Sequence, residues 1–150
     1  MIYLGADHAG FKLKEEIKKY LKNSGFKYQD LGNQILNSED DYPDFAYQVA
    51  KKVAQEKNSK GILFCGTGQG MALAANKVEG IYAMPAWNKL TAKHAADHNQ
   101  ANILTLGGHI TSIKSAKEII KIWLKTKPLQ KMKYSRRINK VKKIENEQRN

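Results

Sequence analysis

The stretch formed by residues 61–76 constrains this chain more than any other part of its sequence. It opens with GILF, which has the length and apolar character of a buried strand, and closes with MALAA, a run of good helix formers. Between them lies a turn with three glycines on alternate positions and the protein's only cysteine, Cys65. A strand that leads through such a turn into a helix exposes free backbone amides beside the positive end of the helix dipole. The sequence therefore predicts an anion-binding loop.

Cys65 has two interpretations on this evidence. A thiol at the mouth of an amide-rich turn is stabilised as a thiolate and can take or give a proton. A lone cysteine after an apolar strand is also a common small core residue. The turn fits neither common nucleotide-binding motif, because a Walker loop ends in Gly-Lys-Ser/Thr and the dinucleotide fingerprint is G-x-G-x-x-G, whereas this chain has G-x-G-x-G followed by Met-Ala. The residues alone leave a catalytic and a structural Cys65 both open.

Strand and helix patterns alternate five times along the chain. Strands are predicted at residues 2–6, 26–31, 61–64, 81–84 and 101–106. Helices are predicted at residues 11–23, 43–57, 68–78, 88–97 and 113–125, with residues 7–10 as a tight turn. Short alternating units of this kind predict an α/β fold with three layers, in which a doubly wound, Rossmann-like, five-stranded parallel sheet is covered on both faces.

The basic residues are concentrated at the C-terminal end. The formal charge is +12, and residues 114–150 hold ten Lys and three Arg against three Glu. Beyond a helix break at Pro128, Ile138, Val141 and Ile144 recur at threes, which predicts a last helix that docks on a neighbour. We therefore divide the chain into an α/β domain, residues 1–127, and a basic helical extension, residues 128–150. A nucleic-acid partner is not expected, because the sequence has no zinc-finger spacing, RNA-binding sheet motif or aromatic-interleaved basic stripe.

Composition favours a single globular domain in the cytoplasm. The chain has 150 residues, of which 41% are hydrophobic and 27% charged. No apolar run approaches the ~20 residues of a membrane span, and the first residues enter a strand pattern without a basic leader. A single cysteine excludes an internal disulfide, so we expect a cytoplasmic protein with no membrane association.

The predicted topology also groups the polar residues that follow the strands. In parallel sheets ligands bind beyond the carboxyl ends of the strands, where the strand order reverses. The segments 7–8, 65–70 and 107–109 follow the first, third and fifth strands and should therefore share one edge. His98 and Asn99 precede the fifth strand, so they should lie at the opposite edge and reach the group only across a subunit interface or by a bent connection.

Five motifs, taken in order, resemble the type B ribose-5-phosphate isomerase family, which includes the galactose-6-phosphate isomerase subunits. They are GADHAGFKLK at residues 5–14, DYP at 41–43, CGTGQG at 65–70, Ala74 with Asn76-Lys77, and HNQAN at 98–102. The resemblance extends from residue 2 to about residue 144. It implies an aldose–ketose isomerase of phosphorylated sugars without a metal or other cofactor, built as a homodimer or homotetramer with active sites shared between subunits.

The resemblance also implies a role for each matching residue. Cys65 matches the base that moves a proton between C1 and C2 of the sugar, and Thr67 matches a residue that assists at the substrate oxygens. His98 matches the group that opens the sugar ring. The amides of the glycine turn match an anion hole for the enediolate, and the remaining matches bind sugar hydroxyls or phosphate. The full substrate-binding set is Asp7, His8, Gly66, Gly68, Gly70, Asn99, His109, Lys133 and Arg137.

The chain departs from the family pattern mainly at the phosphate site. His109 stands where an Arg is usual, and Met132-Lys133-Tyr134 replaces Gly-Arg-His ahead of Arg137. Arg grips phosphate with a planar fork, whereas Lys is a point charge and His is only partly charged at neutral pH. The leading expectation is interconversion of ribose 5-phosphate and ribulose 5-phosphate. A six-carbon aldose 6-phosphate (allose or galactose) stays open as substrate, as does a non-catalytic phosphosugar or nucleic-acid binder.

Structural explanations remain for several of these polar residues. Asp7 has the position of a helix N-cap. His94 is expected to be an ordinary surface residue of a helix. The acidic residues Asp40, Asp41 and Asp44 are expected to form a solvated loop, because no His partners them. Asp97 and His98 are adjacent and are not expected to face each other in a helix.

Overall fold

A computed structural model describes residues 1–147 and contains a five-stranded sheet with helices on both faces. The strands are β1 (Ile2–Ala6), β2 (Tyr28–Asp30), β3 (Lys60–Cys65), β4 (Ala83–Pro85) and β5 (Ile103–Gly107). The helices are α1 (His8–Asn23), α2 (Tyr42–Gln55), α3 (Gln69–Ala75), α4 (Lys89–Asp97), α5 (Ile113–Lys125) and α6 (Met132–Glu147). The predicted alternation and fold class are confirmed.

All five strands run parallel, in the order β2-β1-β3-β5-β4. The chain moves outward from β1 to β2 and then returns to the other side of β1 to form β3. The strand order therefore reverses between β1 and β3, which is where a doubly wound sheet opens a crevice for ligands. Cys65 ends β3 and pairs with Gly107 at the end of β5, so both lie at this edge.

The sheet separates two hydrophobic cores. Alternate residues of β3 point to opposite faces, with Ile62 and Phe64 on one side and Leu63 and Cys65 on the other. Helices α1, α4 and α5 cover the first face, and α2 and α3 cover the second. The Cys65 side chain therefore lies on the face of the sheet that α2 and α3 cover.

The start of α1 differs from the sequence prediction. Residues 7–10 were expected to be a tight turn, but Asp7 is the N-cap of α1 and accepts a hydrogen bond from the Gly10 amide at 3.0 Å. Gly10 lies inside the helix. The position requires glycine because a Cβ there would come within 2.3 Å of the Phe64 carbonyl. This glycine permits close approach of α1 to β3 and does not end a turn. The prediction of a tight turn was wrong, and the N-cap alternative for Asp7 was right.

Helix α6 packs on its own chain through few residues. Ile138 is buried, whereas Val141 and Ile144, from the same predicted stripe, are exposed. The Glu145 carboxylate accepts a hydrogen bond from the Gly80 amide at 2.8 Å, which ties the helix to the loop before β4. The last predicted residues, 148–150, lie outside the described part of the chain. Among residues 1–147, no helix combines the length and apolar character that crossing a bilayer requires.

Candidate active site

The loop after β3 is organised around the Cys65 side chain. Cys65 is only 5% exposed, and its sulfur accepts a hydrogen bond from the Gly68 amide at 3.1 Å. Gly68 has φ +84°, a left-handed conformation that glycine adopts without strain. The hydrogen bond closes the loop around the thiol, and the left-handed conformation lets Gly68 serve as the N-cap of α3.

A hydrogen bond from the neighbouring strand anchors this loop. The buried hydroxyl of Thr105 in β5 donates to the Gly68 carbonyl at 2.8 Å. A Cβ on Gly68 would also come within 3.1–3.2 Å of the Leu106 and Thr105 backbone. Position 68 therefore requires glycine both for its φ and for its close contact with β5. The sequence analysis did not single out Thr105; its polar side chain in an otherwise apolar strand was the only signal.

The loops that follow β1, β3 and β5 meet at one edge, as predicted from the topology. The Gly108 and His109 amides donate to the Cys65 and Gly66 carbonyls at 2.7 and 3.0 Å. The His109 ring packs directly over Gly66, where a Cβ would lie 2.8 Å from its Cδ2. From β1, the Asp7 amide donates to the Phe64 carbonyl at 3.3 Å. The exposed imidazoles of His8 and His109 therefore lie at the same edge as the backbone amides of the Cys65 loop.

Asp7 and His8 differ in burial although they are adjacent. Asp7 is 6% exposed, and burial raises the pKa of its carboxyl despite the hydrogen bond from Gly10. The exposed His8 ring lies 2.8 Å from the Asp40 carboxylate, and this hydrogen bond raises the His8 pKa above its ordinary value. His8 is thereby held closer to its charged form, which suits contact with an anion.

The expectation that Asp40 belongs to a purely solvated loop was wrong. Its side chain is 6% exposed. It accepts hydrogen bonds from the His8 amide at 2.8 Å and from the Asn33 side chain at 2.7 Å, in addition to its contact with the His8 ring. Sequence reasoning missed this pairing because 32 residues separate the partners. Asp41 and Asp44 are exposed, as expected.

Two further side chains shape the glycine loop. The hydroxyl of exposed Thr67 accepts a hydrogen bond from the Gln69 amide at 3.4 Å and so supports the first turn of α3. The Tyr42 ring covers Gly70, where a Cβ would lie 2.9 Å from the ring. Helix α3 has only seven residues, fewer than predicted. For binding an anion, the individual loop amides are therefore more important here than the dipole of this short helix. Tyr42 lies in the DYP motif but was not among the predicted site residues.

His98 lies at the opposite edge of the sheet, as the topology predicted. It caps the C-terminus of α4, five positions before β5, whereas Cys65 pairs with the last residue of β5. Its ring stacks between His94 and Tyr134, with centroids at 3.9 and 4.3 Å. Burial lowers the His98 pKa below its ordinary value, and the nearby positive charges, Lys133 among them, lower it further.

The remaining predicted substrate-binding residues lie near His98. The Asn99 amide donates to the His94 carbonyl at 3.2 Å, and its side chain is exposed. The Lys133 ammonium and the Arg137 guanidinium lie 4.9 and 6.0 Å from the Tyr134 ring centroid. The predicted site residues therefore form two groups. The first surrounds the Cys65 loop, and the second, at the end of α4 and in α6, consists of Asn99, His98, Lys133 and Arg137.

The end of α4 carries a cluster that the sequence analysis missed. Asp97 is buried, and its carboxylate contacts His94 Nδ1 at 3.2 Å, His98 Nε2 at 3.6 Å and Lys93 Nζ at 2.5 Å. Burial raises the Asp97 pKa, but the hydrogen bonds from Lys93 and His94 outweigh it and the net pKa is lowered. His94 is thus more than a simple surface residue, and Asp97 and His98 do face each other, contrary to both expectations.

The fold and the Cys65 loop define a doubly wound α/β protein with an amide-rich loop at the reversal of strand order. A family model described as Ribose/Galactose Isomerase matches residues 2–141. The chain therefore belongs to the ribose/galactose isomerase family.

Individual relatives agree with this assignment. The chain is 40% identical over 125 residues to a putative sugar phosphate isomerase, YwlF, of Bacillus subtilis, with 83% of this chain and 84% of the relative covered. It is 38% identical to a probable ribose-5-phosphate isomerase B of Mycoplasma genitalium, with 97% and 96% covered. A crystal structure of the Mycoplasma genitalium enzyme with bound ribulose-5-phosphate superposes with a TM-score of 0.93 at 38% identity, covering 97% of this chain and 96% of that one. The ribose-5-phosphate isomerase B structure from Clostridium thermocellum gives 0.91 at 39% identity, with 97% of each chain covered.

Proposed function

We propose that this protein is an aldose–ketose isomerase that interconverts ribose 5-phosphate and ribulose 5-phosphate in the cytoplasm. The near full-length similarity to proteins named ribose-5-phosphate isomerase B supports this activity, as does the fold shared with the ribulose-5-phosphate complex. The observation that carries the proposal on this chain is the hydrogen bond from the Gly68 amide to the Cys65 sulfur. It fixes the only thiol of the protein at the edge where the ligand crevice opens.

Cys65 is the base in this mechanism. Its thiolate removes the proton from C2 of the open-chain aldose, while the C1 carbonyl oxygen becomes the negative oxygen of an enediolate. The proton then returns from sulfur to C1, and the proton of the C2 hydroxyl passes to the C1 oxygen, so that the C1 oxygen becomes a hydroxyl and the C2 oxygen the ketose carbonyl. Loop amides that are already oriented stabilise the developing oxygen charge without reorganising, and Thr67 assists at the same oxygens.

His98 opens the furanose ring before isomerisation. A neutral imidazole accepts the proton of the C1 hydroxyl, and the same group returns a proton to the ring oxygen as the ring opens. The lowered His98 pKa supports this role because it keeps the ring unprotonated near neutral pH. Asp7 and Asn99 hold sugar hydroxyls, while His8, His109, Lys133 and Arg137 bind the phosphate.

These roles require that two subunits share each site. Within one chain, His98 precedes the start of β5, whereas Cys65 lies beside the end of that strand. The rise over four residues of parallel strand is about 13 Å, so the two side chains lie at opposite ends of the strand. A homodimer, alone or within a tetramer, brings His98 of one subunit to the Cys65 loop of the other. We expect the exposed residues of α6 to contribute to this contact.

Hybrid dimers test the shared site. Subunits carrying Cys65→Ala are mixed with subunits carrying His98→Asn under conditions that allow exchange. A site shared between subunits leaves one intact site in each hybrid, so activity recovers well above that of either parent. A site contained within one chain leaves every site with one defect, and mixing then restores nothing.

A six-carbon aldose 6-phosphate is the second candidate substrate. The matching family includes galactose isomerases as well as ribose isomerases. His109 and Lys133 also give this chain a phosphate site without the Arg residues that the type B ribose enzymes usually carry there. A coupled assay on ribose 5-phosphate, allose 6-phosphate and galactose 6-phosphate separates the candidates. The highest kcat/KM on ribose 5-phosphate supports the proposal, and turnover of none of the three sugars contradicts it.

A further inference from the structure

The cluster at the C-terminal end of α4 has the donor atoms and the donor spacing of a metal site. His94 and His98 are four positions apart on the helix, the spacing that places two imidazoles on one face. Asp97 Oδ1 lies 3.2 Å from His94 Nδ1 and 3.6 Å from His98 Nε2, and the three donor atoms lie within 4.8 Å of one another. Ligands on a tetrahedral zinc ion with bonds of about 2.0–2.1 Å are separated by about 3.3 Å. We propose that His94, Asp97 and His98 bind a late first-row divalent metal ion, with Zn²⁺ as the biologically common example.

The carboxylate of the cluster is held in place by contacts within the chain. Asp97 is only 2% exposed, and its second oxygen, Oδ2, is held by the Lys93 ammonium at 2.5 Å. This contact directs Oδ1 toward the two imidazoles. Such supporting contacts orient metal ligands and are part of their affinity. Tyr134 stacks on one face of the His98 ring and His94 on the other, so an ion that both imidazoles bind requires the His94 ring to turn out of this stack.

The chemistry of the donors selects the metal. Two imidazole nitrogens and one carboxylate oxygen suit Zn²⁺, Ni²⁺, Co²⁺ and Cu²⁺, whereas Mg²⁺ and Ca²⁺ prefer oxygen ligands alone. The side chains of His94 and His98 are 40% and 29% exposed, which gives an ion access from solvent.

Three protein ligands leave one coordination position open, and the ammonium groups of Lys93 and Lys133 oppose a second positive charge nearby. Both features favour a reversible site over a permanently occupied structural one. The consequence for catalysis rests on the proposed function. A metal bound to His98 occupies the imidazole lone pair that ring opening requires, so metal binding inhibits the isomerase.

Metal binding is tested on untagged protein by calorimetric titration with Zn²⁺ alone and with Mg²⁺ alone. The Cys65→Ala variant is used so that the thiol supplies no ligand. We expect the Cys65→Ala protein to bind one Zn²⁺ per chain and no Mg²⁺. When His94→Leu is added to this variant, the Zn²⁺ affinity should fall by at least about tenfold. His109→Leu, which removes an imidazole at the opposite edge of the sheet, is the matched control and should leave Zn²⁺ affinity unchanged. Absence of Zn²⁺ binding, or binding that His94→Leu does not weaken, overturns the site.

Inhibition is tested separately in protein that retains Cys65. The metal-free His94→Leu variant should turn over substrate at close to the wild-type rate but need about tenfold more Zn²⁺ for half-inhibition. Equal sensitivity to Zn²⁺ in the two proteins overturns the inhibitory role, even where calorimetry supports the site. If neither metal-free protein isomerises any sugar phosphate, the proposed function fails, and the calorimetry still decides the metal site.

Discussion

The hydroxyl of Thr105 donates to the carbonyl of Gly68 at 2.8 Å, which joins β5 to the loop around the only thiol of the chain. Both residues are buried, and the same carbonyl also accepts a hydrogen bond from the Ala72 amide at 3.2 Å, so β5 and α3 both hold it. The contact fixes the peptide on one side of Gly68 while the amide on its other side reaches the Cys65 sulfur. A residue of another strand therefore contributes to the orientation of the Cys65 loop.

Replacing Thr105 with Val tests this dependence. The substitution keeps the shape of the side chain and removes one of the two hydrogen bonds to the Gly68 carbonyl, which still accepts one from the Ala72 amide at 3.2 Å. We expect a cost of about 0.5–1.5 kcal/mol in the free energy of unfolding. We expect kcat to fall more than KM rises, because the loop amides act mainly on the transition state. Denaturant unfolding and steady-state kinetics measure the two effects. Thr105→Ser keeps the hydroxyl and is the control; if Val and Ser variants have equal kcat values, the loop does not depend on this bond.

Two glycine substitutions should separate stability from substrate binding. In Gly10→Ala the new Cβ meets the Phe64 backbone at 2.3 Å, so α1 must move away from β3, and we expect a loss of about 3 kcal/mol in stability. In Gly66→Ala the Cβ meets only the side chain of His109, which can rotate away. We expect that variant to stay nearly as stable as the wild type and to show a raised KM. Thermal unfolding of both variants checks the order; a larger loss of stability in Gly66→Ala would contradict it.

The existence and order of the strands could be predicted from the sequence more accurately than the residues at which the strands and helices begin and end. Periodic apolar residues predicted the strands and most helices, because those patterns depend on neighbours a few positions apart. Gly10 was assigned to a turn because glycine usually marks one, whereas here its missing side chain serves a contact with a strand more than 50 positions away. β2 is shorter than predicted because only Tyr28–Asp30 pair with β1.

The same limit applies to the site. The rule that parallel strands end at one edge correctly grouped Asp7, the Cys65 loop and His109, since it needs only the order of elements. The bonds from His8 to Asp40 and from Thr105 to Gly68 join residues 32 and 37 positions apart, and no local pattern announces them. The chemical roles of the residues in both groups remain predictions.

A buried charge network predicts how stability depends on pH. The Lys14 side chain is fully buried, and its ammonium contacts the Asp30 carboxylate at 2.7 Å. Burial alone would raise the Asp30 pKa, but hydrogen bonds from Lys14 and Lys18 outweigh it and the pKa is lowered. A carboxyl whose pKa is lower when folded stabilises the protein fully above its unfolded value near pH 4, and this stabilisation is lost as the pH falls through the folded value.

Asp30→Asn should therefore cost about 3 kcal/mol at neutral pH, because it removes the nearer carboxylate partner of the buried Lys14 ammonium and leaves only the partly exposed Glu15 carboxylate at 3.3 Å. The variant should also lose less stability than the wild type when both are taken to acid pH. Denaturant unfolding over a pH series measures both effects. Lys14→Met, which removes the buried charge itself, should be less damaging than Asp30→Asn; the reverse order would show that this pair does not control acid stability.

His98→Asn should affect the ring-opening step selectively. The substitution removes the group that we propose shuttles the proton between the C1 hydroxyl and the ring oxygen, while a substrate that is already open needs no such step. We expect a loss of about 10²–10⁴-fold in kcat/KM on furanose ribose 5-phosphate and a much smaller loss on an open-chain aldose phosphate. Equal losses on the two substrates would remove the ring-opening role and leave His98 as a positioning residue.

The most direct test of the central claim is the exchange of substrate hydrogen with solvent in a Cys65→Ala variant. In deuterated water the wild-type enzyme should introduce deuterium at C1 of ribulose 5-phosphate, because the abstracted proton resides on sulfur, where it meets solvent. Cys65→Ala should fold, still bind a phosphorylated sugar acid, and lose both exchange and turnover by about 10²–10⁴-fold. Turnover and exchange at the wild-type rate in this variant would show that another group moves the proton.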